Sequence, residues 1–142
     1  MSTLNAALGA SASALNAERT RIEVAVSNLA NAESTRGPDG QPYRRRDVIL
    51  AADVHNTFEE ALGQAGAVGV KVAAVIEDQA PPKRRYDPSH PDADKEGFVA
   101  LPNIDTPEEM VNMLSASRAY QANLTAIGLI RELVQKSLEL GK

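Results

Sequence analysis

The sequence predicts an α+β protein in which long N- and C-terminal helices pair as a coiled-coil-like hairpin beside a small β-rich middle domain. All eight prolines lie between Pro38 and Pro107, so both ends are free of residues that break helices. Apolar residues recur every seven positions at each end, whereas the middle carries short β-compatible runs. We therefore expect three parts, residues 1–32, 33–105 and 106–142.

The first part is expected to be one helix from about residue 3 to about residue 32. A helix with large apolar residues every seven positions presents them as a seam along one face. The seam consists of Met1, Leu8, Leu15, Ile22 and Leu29, with Leu4 beside it.

The middle part contains three runs of β-compatible residues, at 47–50, 70–76 and 97–101. Clusters of Gly, Pro and Asp bound each run, as expected for strands that end in turns. Three short strands predict a small antiparallel sheet, accompanied by a short helix at about residues 57–62.

The last part begins with a strong helix signal at residues 106–109. Thr106 is the predicted N-cap, Pro107 the first helical residue, and two glutamates follow where they face the positive end of the helix. No residue stops the helix before Gly141. Its seam contains Met113, Tyr120, Ile127 and Val134, interleaved with Leu124 and Leu138.

The predicted helices carry unusually few charges. Residues 1–17 have none, and residues 110–130 have only Arg118. Small uncharged side chains let helices approach closely on more than one side, so we expect further helices to cover these faces. The other interpretation is a weakly solvated alanine-rich surface. The candidate assembly interface comprises Leu4, Leu8, Leu15, Ile22, Leu29, Met113, Tyr120, Leu124, Ile127, Val134 and Leu138.

The sequence offers no catalytic, cofactor or metal site. It has no cysteine, and its two histidines, His55 and His90, are not spaced as metal ligands. Residues 92–97 match the first half of a calcium loop, but Asn103 stands where a bidentate glutamate is needed. We expect a loop there that leads into a strand.

Charge and hydropathy exclude two further classes of partner. The net charge is −4, which gives no reason to expect nucleic acid binding. No apolar run approaches the roughly 18 residues of a membrane helix, so direct membrane insertion is not expected. The basic triplets at 44–46 and 83–85 are expected to pair with acidic residues of a neighbouring subunit.

One motif resembles a known family. Asn28, Asn31, Thr35 and Gly37 match the signature that follows the first helix in bacterial flagellar basal-body rod and hook proteins, and Tyr43 follows after an insertion. The stretches 86–105 and 110–123 are similar to the proximal-rod branch of that family. The resemblance covers both helices and the later part of the middle, whereas residues 53–72 match weakly.

The resemblance implies a structural subunit of the proximal rod, a hollow helical drive shaft. The terminal helices are then expected to form its inner wall, with the β-rich part outside and the turn motif setting the angle between them. The implied partners are the chain itself, other rod subunits, the export gate or MS-ring base, and the flagellar type III export apparatus. The resemblance also implies that the chain is synthesised in the cytoplasm and is located in the periplasm-spanning rod.

Two other functions stay open on the residues alone. A cytoplasmic helical adaptor that binds a single protein partner explains the seven-residue repeats but not the uncharged outer faces. An enzyme requires an active site that these residues do not supply.

Overall fold

A computed structural model describes residues 2–54 and 68–140 of the chain. It has the predicted α+β architecture, two long terminal helices with a strand-containing middle. The order along the chain is α1 (Ser2–Ala30), β1 (Arg46–Asp53), β2 (Gly69–Glu77), β3 (Lys83–Tyr86), β4 (Phe98–Leu101) and α2 (Thr106–Leu140). The short helix expected at 57–62 lies outside the described residues.

Both helices agree with the predicted bounds to within two residues. At about 1.5 Å per residue, the 29 residues of α1 and the 35 of α2 span about 43 and 52 Å. The start of α2 differs in one detail. Asp105 is the N-cap, because its side chain accepts the backbone N–H of Glu108 at 3.4 Å, so Thr106 is already helical. No helix in the described part of the chain is apolar over a membrane-spanning length.

The helices pack as an antiparallel hairpin in which the end of α1 meets the start of α2. The apolar residues that the two helices bury almost completely are alanines, namely Ala17 and Ala25 on α1 and Ala116 on α2. Small side chains let two helix backbones approach closely. Most of the large apolar residues of the seams are only half-buried.

The strands form two separate two-stranded antiparallel sheets rather than the single three-stranded sheet expected. β1 pairs with β2, and the register shifts between Ile49 and Leu50. β2 lies against α1, where the N–H of Val70 donates to the Ser13 hydroxyl at 3.0 Å. A Cβ at Gly69 would stand 2.9 Å from that oxygen, so the close approach requires glycine.

The second sheet contains β3, a strand that the sequence analysis missed. β3 pairs with β4, and the inner face of β4 supplies the buried residues Val99 and Leu101. The loop from β3 to β4 is the one predicted to lead into a strand. It closes through Gly97, whose φ of +84° favours glycine.

Candidate functional site

Asn28 of the turn motif lies in a buried polar cluster at the base of the hairpin. Its amide oxygen accepts the N–H of Arg46 at 2.9 Å and the hydroxyl of Tyr43 at 3.0 Å. Its amide nitrogen donates to the carbonyl of Arg46 at 2.8 Å and to Glu109 Oε2 at 3.2 Å. An amide side chain has two donor hydrogens and two acceptor lone pairs, so every one is used. This residue is 1% exposed, and water cannot replace these partners.

Glu109 is the acidic member of the cluster and is 2% exposed. Its Oε1 accepts from Arg45 Nε at 2.5 Å, which pairs the buried carboxylate with a cation. Partial burial lowers the pKa of Arg45, but the hydrogen bond and charge of Glu109, with Asp47 nearby, raise it more, so the net pKa lies above its ordinary value. Together Asn28, Tyr43, Arg45, Arg46 and Glu109 form what we call the buried hub.

The hub joins three elements that are distant in sequence. Asn28 ends α1, Arg46 begins β1, and Glu109 lies in the first turn of α2. An open polar cleft of about 230 Å³ runs beside the hub, and Arg21 and Glu108 are among its lining residues. Among the described residues, no buried side-chain nitrogen or oxygen lacks a hydrogen-bond partner, so the buried atoms of the hub serve to orient the elements.

The remaining motif residues shape the turn that follows α1. The Asn31 side chain donates to the carbonyl of Ser27 at 2.8 Å, which satisfies one carbonyl at the helix end. Thr35 donates to Asp92 at 2.8 Å and so ties the turn to the loop between β3 and β4. The N–H of Gly37 donates to the carbonyl of Gln41 at 2.7 Å, which closes the turn.

Two arginines of each basic triplet pair with acidic residues of the same chain, while the expectation of partners on a neighbouring subunit stays a prediction. Arg45 contacts Glu109, and Arg46 lies 3.4 Å from Glu77. The second triplet, on β3, contains one lysine and two arginines. Arg84 pairs with Asp94 and Glu96, and Arg85 pairs with Glu33.

The calcium-like loop uses its carboxylate for its own backbone. Asp94 Oδ1 accepts the N–H groups of Phe98 and Glu96, both at 2.9 Å, and Oδ2 accepts from Arg84. The hydrogen bond from Phe98, followed by that from Glu96 and by Arg84, lowers the pKa of Asp94. Among the residues that the structure describes, no group of three or more His, Cys, Asp or Glu could hold a metal ion.

The candidate assembly residues fall into two groups. Leu124 and Leu138 are exposed, at 54% and 59%. The other nine are half-buried: Leu4, Leu8, Leu15, Ile22, Leu29, Met113, Tyr120, Ile127 and Val134. The seams therefore serve the hairpin contact and also leave part of their apolar surface accessible.

A second apolar face on α2 was missed by the sequence analysis. Val111, Leu114, Leu129 and Leu133 are all more than half exposed. Val111 and Leu129 are eighteen residues apart, which is five helical turns, so they point the same way. The sequence did contain a signal for this face, since Val111 and Leu114 are three residues apart and Leu129 and Leu133 are four apart. The stronger seven-residue repeat was interpreted instead.

Each helix also carries a glycine that the single chain does not require. A Cβ at Gly9 or Gly128 would meet nothing within 4 Å. Glycine inside a helix is destabilising by about 1 kcal/mol relative to alanine. Gly9 lies nineteen residues before Asn28 and Gly128 nineteen residues after Glu109, so both stand at the same height on the antiparallel hairpin.

Comparison with known proteins gives two family matches and several close relatives. Residues 8–38 match the family described as flagella basal body rod protein, and residues 95–140 match the flagellar basal body rod FlgEFG protein C-terminal family. The flagellar basal-body rod protein FlgC of Salmonella typhimurium is 51% identical over 130 residues, which are 92% of each chain. The FlgC proteins of Bacillus subtilis and Borreliella burgdorferi are 42% and 40% identical, over 95% and 96% of this chain and 96% and 97% of their own lengths.

Proposed function

The chain belongs to the FlgC family of flagellar basal-body rod proteins, and from that premise we propose how its helices build the rod. It is a structural subunit of the bacterial flagellar basal-body rod, where it assembles with other rod components, and it is not an enzyme. The observation that carries this conclusion is the 51% identity to FlgC of Salmonella typhimurium over 92% of both chains. Membership of this family favours the rod over a helical adaptor.

We propose that residues 1–32 and 106–142 form the wall of a hollow proximal rod, with residues 33–105 as a small outer domain. The exposed apolar side chains of α2 support this assignment. Leu124 and Leu138 of the seam, with Leu129 of the second face, are more than half exposed. Apolar surface on opposite sides of one helix suits contacts with different neighbours. A contact between two different surfaces, repeated with a rotation that does not close, generates a helical polymer.

The two glycines support close helix contacts in the assembled rod. Nothing in the single chain lies near enough to Gly9 or Gly128 to require the absence of a Cβ. A residue that destabilises its own helix by about 1 kcal/mol without a local reason suits a place where another backbone approaches. We therefore include both glycines in the proposed wall.

The proposal extends to export through the flagellar type III apparatus and to attachment at the export gate or MS-ring base. Export as an unfolded chain favours a hairpin of modest stability. The α1–α2 contact suits this because its fully buried apolar residues are alanines, and an alanine side chain buries far less apolar surface than a leucine.

The proposal is tested by placing a charge on the exposed part of the seam. Leu124→Asp and Leu138→Asp change residues that the single chain leaves exposed, so we expect normal expression and normal helix content by circular dichroism. Burial of the new carboxylate against a neighbour is strongly unfavourable, so we expect loss of swimming in cells that depend on this chain. The same change at half-buried Leu15 or Ile127 also stops assembly but additionally disturbs the hairpin.

The control is Lys95→Asp, which is also an exposed position, in the loop between β3 and β4. We expect these cells to swim, because the proposal places this loop in the outer domain. Normal swimming in cells that carry Leu124→Asp together with Leu138→Asp would contradict the assembly interface. The family assignment, which depends on sequence identity, would stand in that case.

A further inference from the structure

The packing between α1 and α2 specifies its own register only weakly. The most buried apolar residues of the two helices are small and alike, Ala17 and Ala25 on α1 and Ala116 on α2. The larger residues recur every seven positions in both helices. A slip of one helix by seven residues therefore places large apolar residues on large apolar residues again, so the seams alone do not distinguish the two registers.

The buried hub distinguishes them. Within residues 2–54 and 68–140, the bond between Asn28 and Glu109 is the one side-chain hydrogen bond that joins α1 to α2. Asn28 is also fixed to both backbone polar groups of Arg46 at the start of β1. Glu109 is held by Arg45 of the same segment. A slip of α2 would move Glu109 away from both partners while β1 keeps Asn28 in place.

We infer that the buried hub is a register device, which sets the relative height of the two terminal helices. A slipped hairpin leaves the Asn28 amide or the Glu109 carboxylate buried without a partner, and such groups are disfavoured far more strongly than a change in alanine packing. The device acts in the single chain and does not depend on how the rod is built. One of its effects is to hold Gly9 and Gly128 at the same height.

Cysteine cross-linking measures the register directly, because the chain has no cysteine of its own. Counting eleven residues back from Asn28 and eleven forward from Glu109 sets Ala17 opposite Tyr120. Ala17→Cys is combined in turn with Met113→Cys, Tyr120→Cys or Ile127→Cys. These three partners are one seven-residue repeat apart and are all half-buried.

The test compares the unaltered hub with the double variant Arg45→Met and Glu109→Met in the full-length chain under mild oxidation. The double variant removes both charges, so no lone ion is buried, and it leaves the bonds of Asn28 to Arg46 intact. Replacing a buried ion pair by apolar residues of similar size preserves folding in known cases. The matched control is Asn16→Leu with Glu108→Met, two exposed positions on the same helices.

With the hub intact, and in the control, we expect the Ala17–Tyr120 cysteine pair to form disulfide about tenfold faster than either neighbour, since one unpaired buried group shifts an equilibrium by about that factor. In the double variant we expect comparable yields at all three positions, with helical circular dichroism retained. Continued preference for position 120 in the double variant would overturn the inference, because packing would then set the register. Loss of helical structure in that variant, or a diffuse pattern with the hub intact, would overturn it as well.

Discussion

Replacing Asn28 by aspartate tests the buried hub with almost no change of shape. The two side chains have the same size, but the amide nitrogen of Asn28 becomes a carboxylate oxygen. That nitrogen now donates to the carbonyl of Arg46 at 2.8 Å and to Glu109 at 3.2 Å. Both donated bonds become contacts between two acceptors, so the variant isolates hydrogen bonding and charge from packing.

The size of the destabilisation depends on whether the new carboxyl is ionised or protonated in the folded chain. If it stays ionised, two negative charges about 3 Å apart at an effective dielectric constant of about 20 repel by about 5 kcal/mol, partly offset by Arg45. If it takes up a proton, holding an aspartate of ordinary pKa about 3.9 neutral at pH 7 requires about 4 kcal/mol. Losing at least one donated bond adds about 1–3 kcal/mol. We predict that Asn28→Asp lowers the free energy of unfolding by about 4–7 kcal/mol at pH 7.

The assay is urea unfolding of the dilute chain followed by far-ultraviolet circular dichroism, at pH 7 and at pH 5. Folding raises the pKa of the new carboxyl, so its destabilising effect shrinks as the pH falls. The difference from the parent is expected to be smaller at pH 5 by up to about 2.7 kcal/mol. Asn16→Asp, exposed on the same helix, is the control and is expected to stay within about 0.5 kcal/mol of the parent. A value for Asn28→Asp within 1 kcal/mol of the parent, or the same difference at both pH values, would refute the reasoning.

Three further changes test other parts of the fold. Gly69→Ala sets a methyl 2.9 Å from the Ser13 hydroxyl and is expected to lower the free energy of unfolding by about 1–2 kcal/mol in the urea assay. Gly9→Ala adds its methyl in open space and is expected to raise the free energy of unfolding by up to about 1 kcal/mol in the same assay. Val99→Ala empties part of the fully buried site under β4 and should destabilise by about 2–3 kcal/mol in thermal unfolding; an unchanged melting temperature would contradict that burial. The lowered pKa of Asp94 means that its bonds stabilise the loop above about pH 3.9 and are lost as the pH falls through the lower folded pKa. Amide chemical shifts in that loop should therefore titrate with a midpoint below 3.9, and Asp94→Asn should abolish the step.

The sequence predicted what depends on neighbouring residues and missed what depends on distant ones. Both helices follow from segments with seven-residue repeats and no proline beyond the first turn. Strand β3 (Lys83–Tyr86) was missed because a run of charged residues has no apolar face, and it is a strand only because β4 pairs with it. Glu109 was interpreted as a helix-terminal charge, although it lies 81 residues from Asn28, its buried partner. Asn28 itself was found through a family motif that gave its place but not its contacts.

The alanine contact and the buried hub explain each other. Leucines at the centre of the hairpin would bury themselves and make the pair of helices self-sufficient. Alanines instead let the backbones approach, and large side chains such as Leu15 and Ile127 stay half-buried and half-accessible to neighbours. Seams that repeat every seven residues specify register poorly, so a fold that leaves its apolar side chains for assembly needs register from elsewhere. The bond from Asn28 to Glu109 supplies it through directional hydrogen bonds, which a slipped pair of helices cannot make.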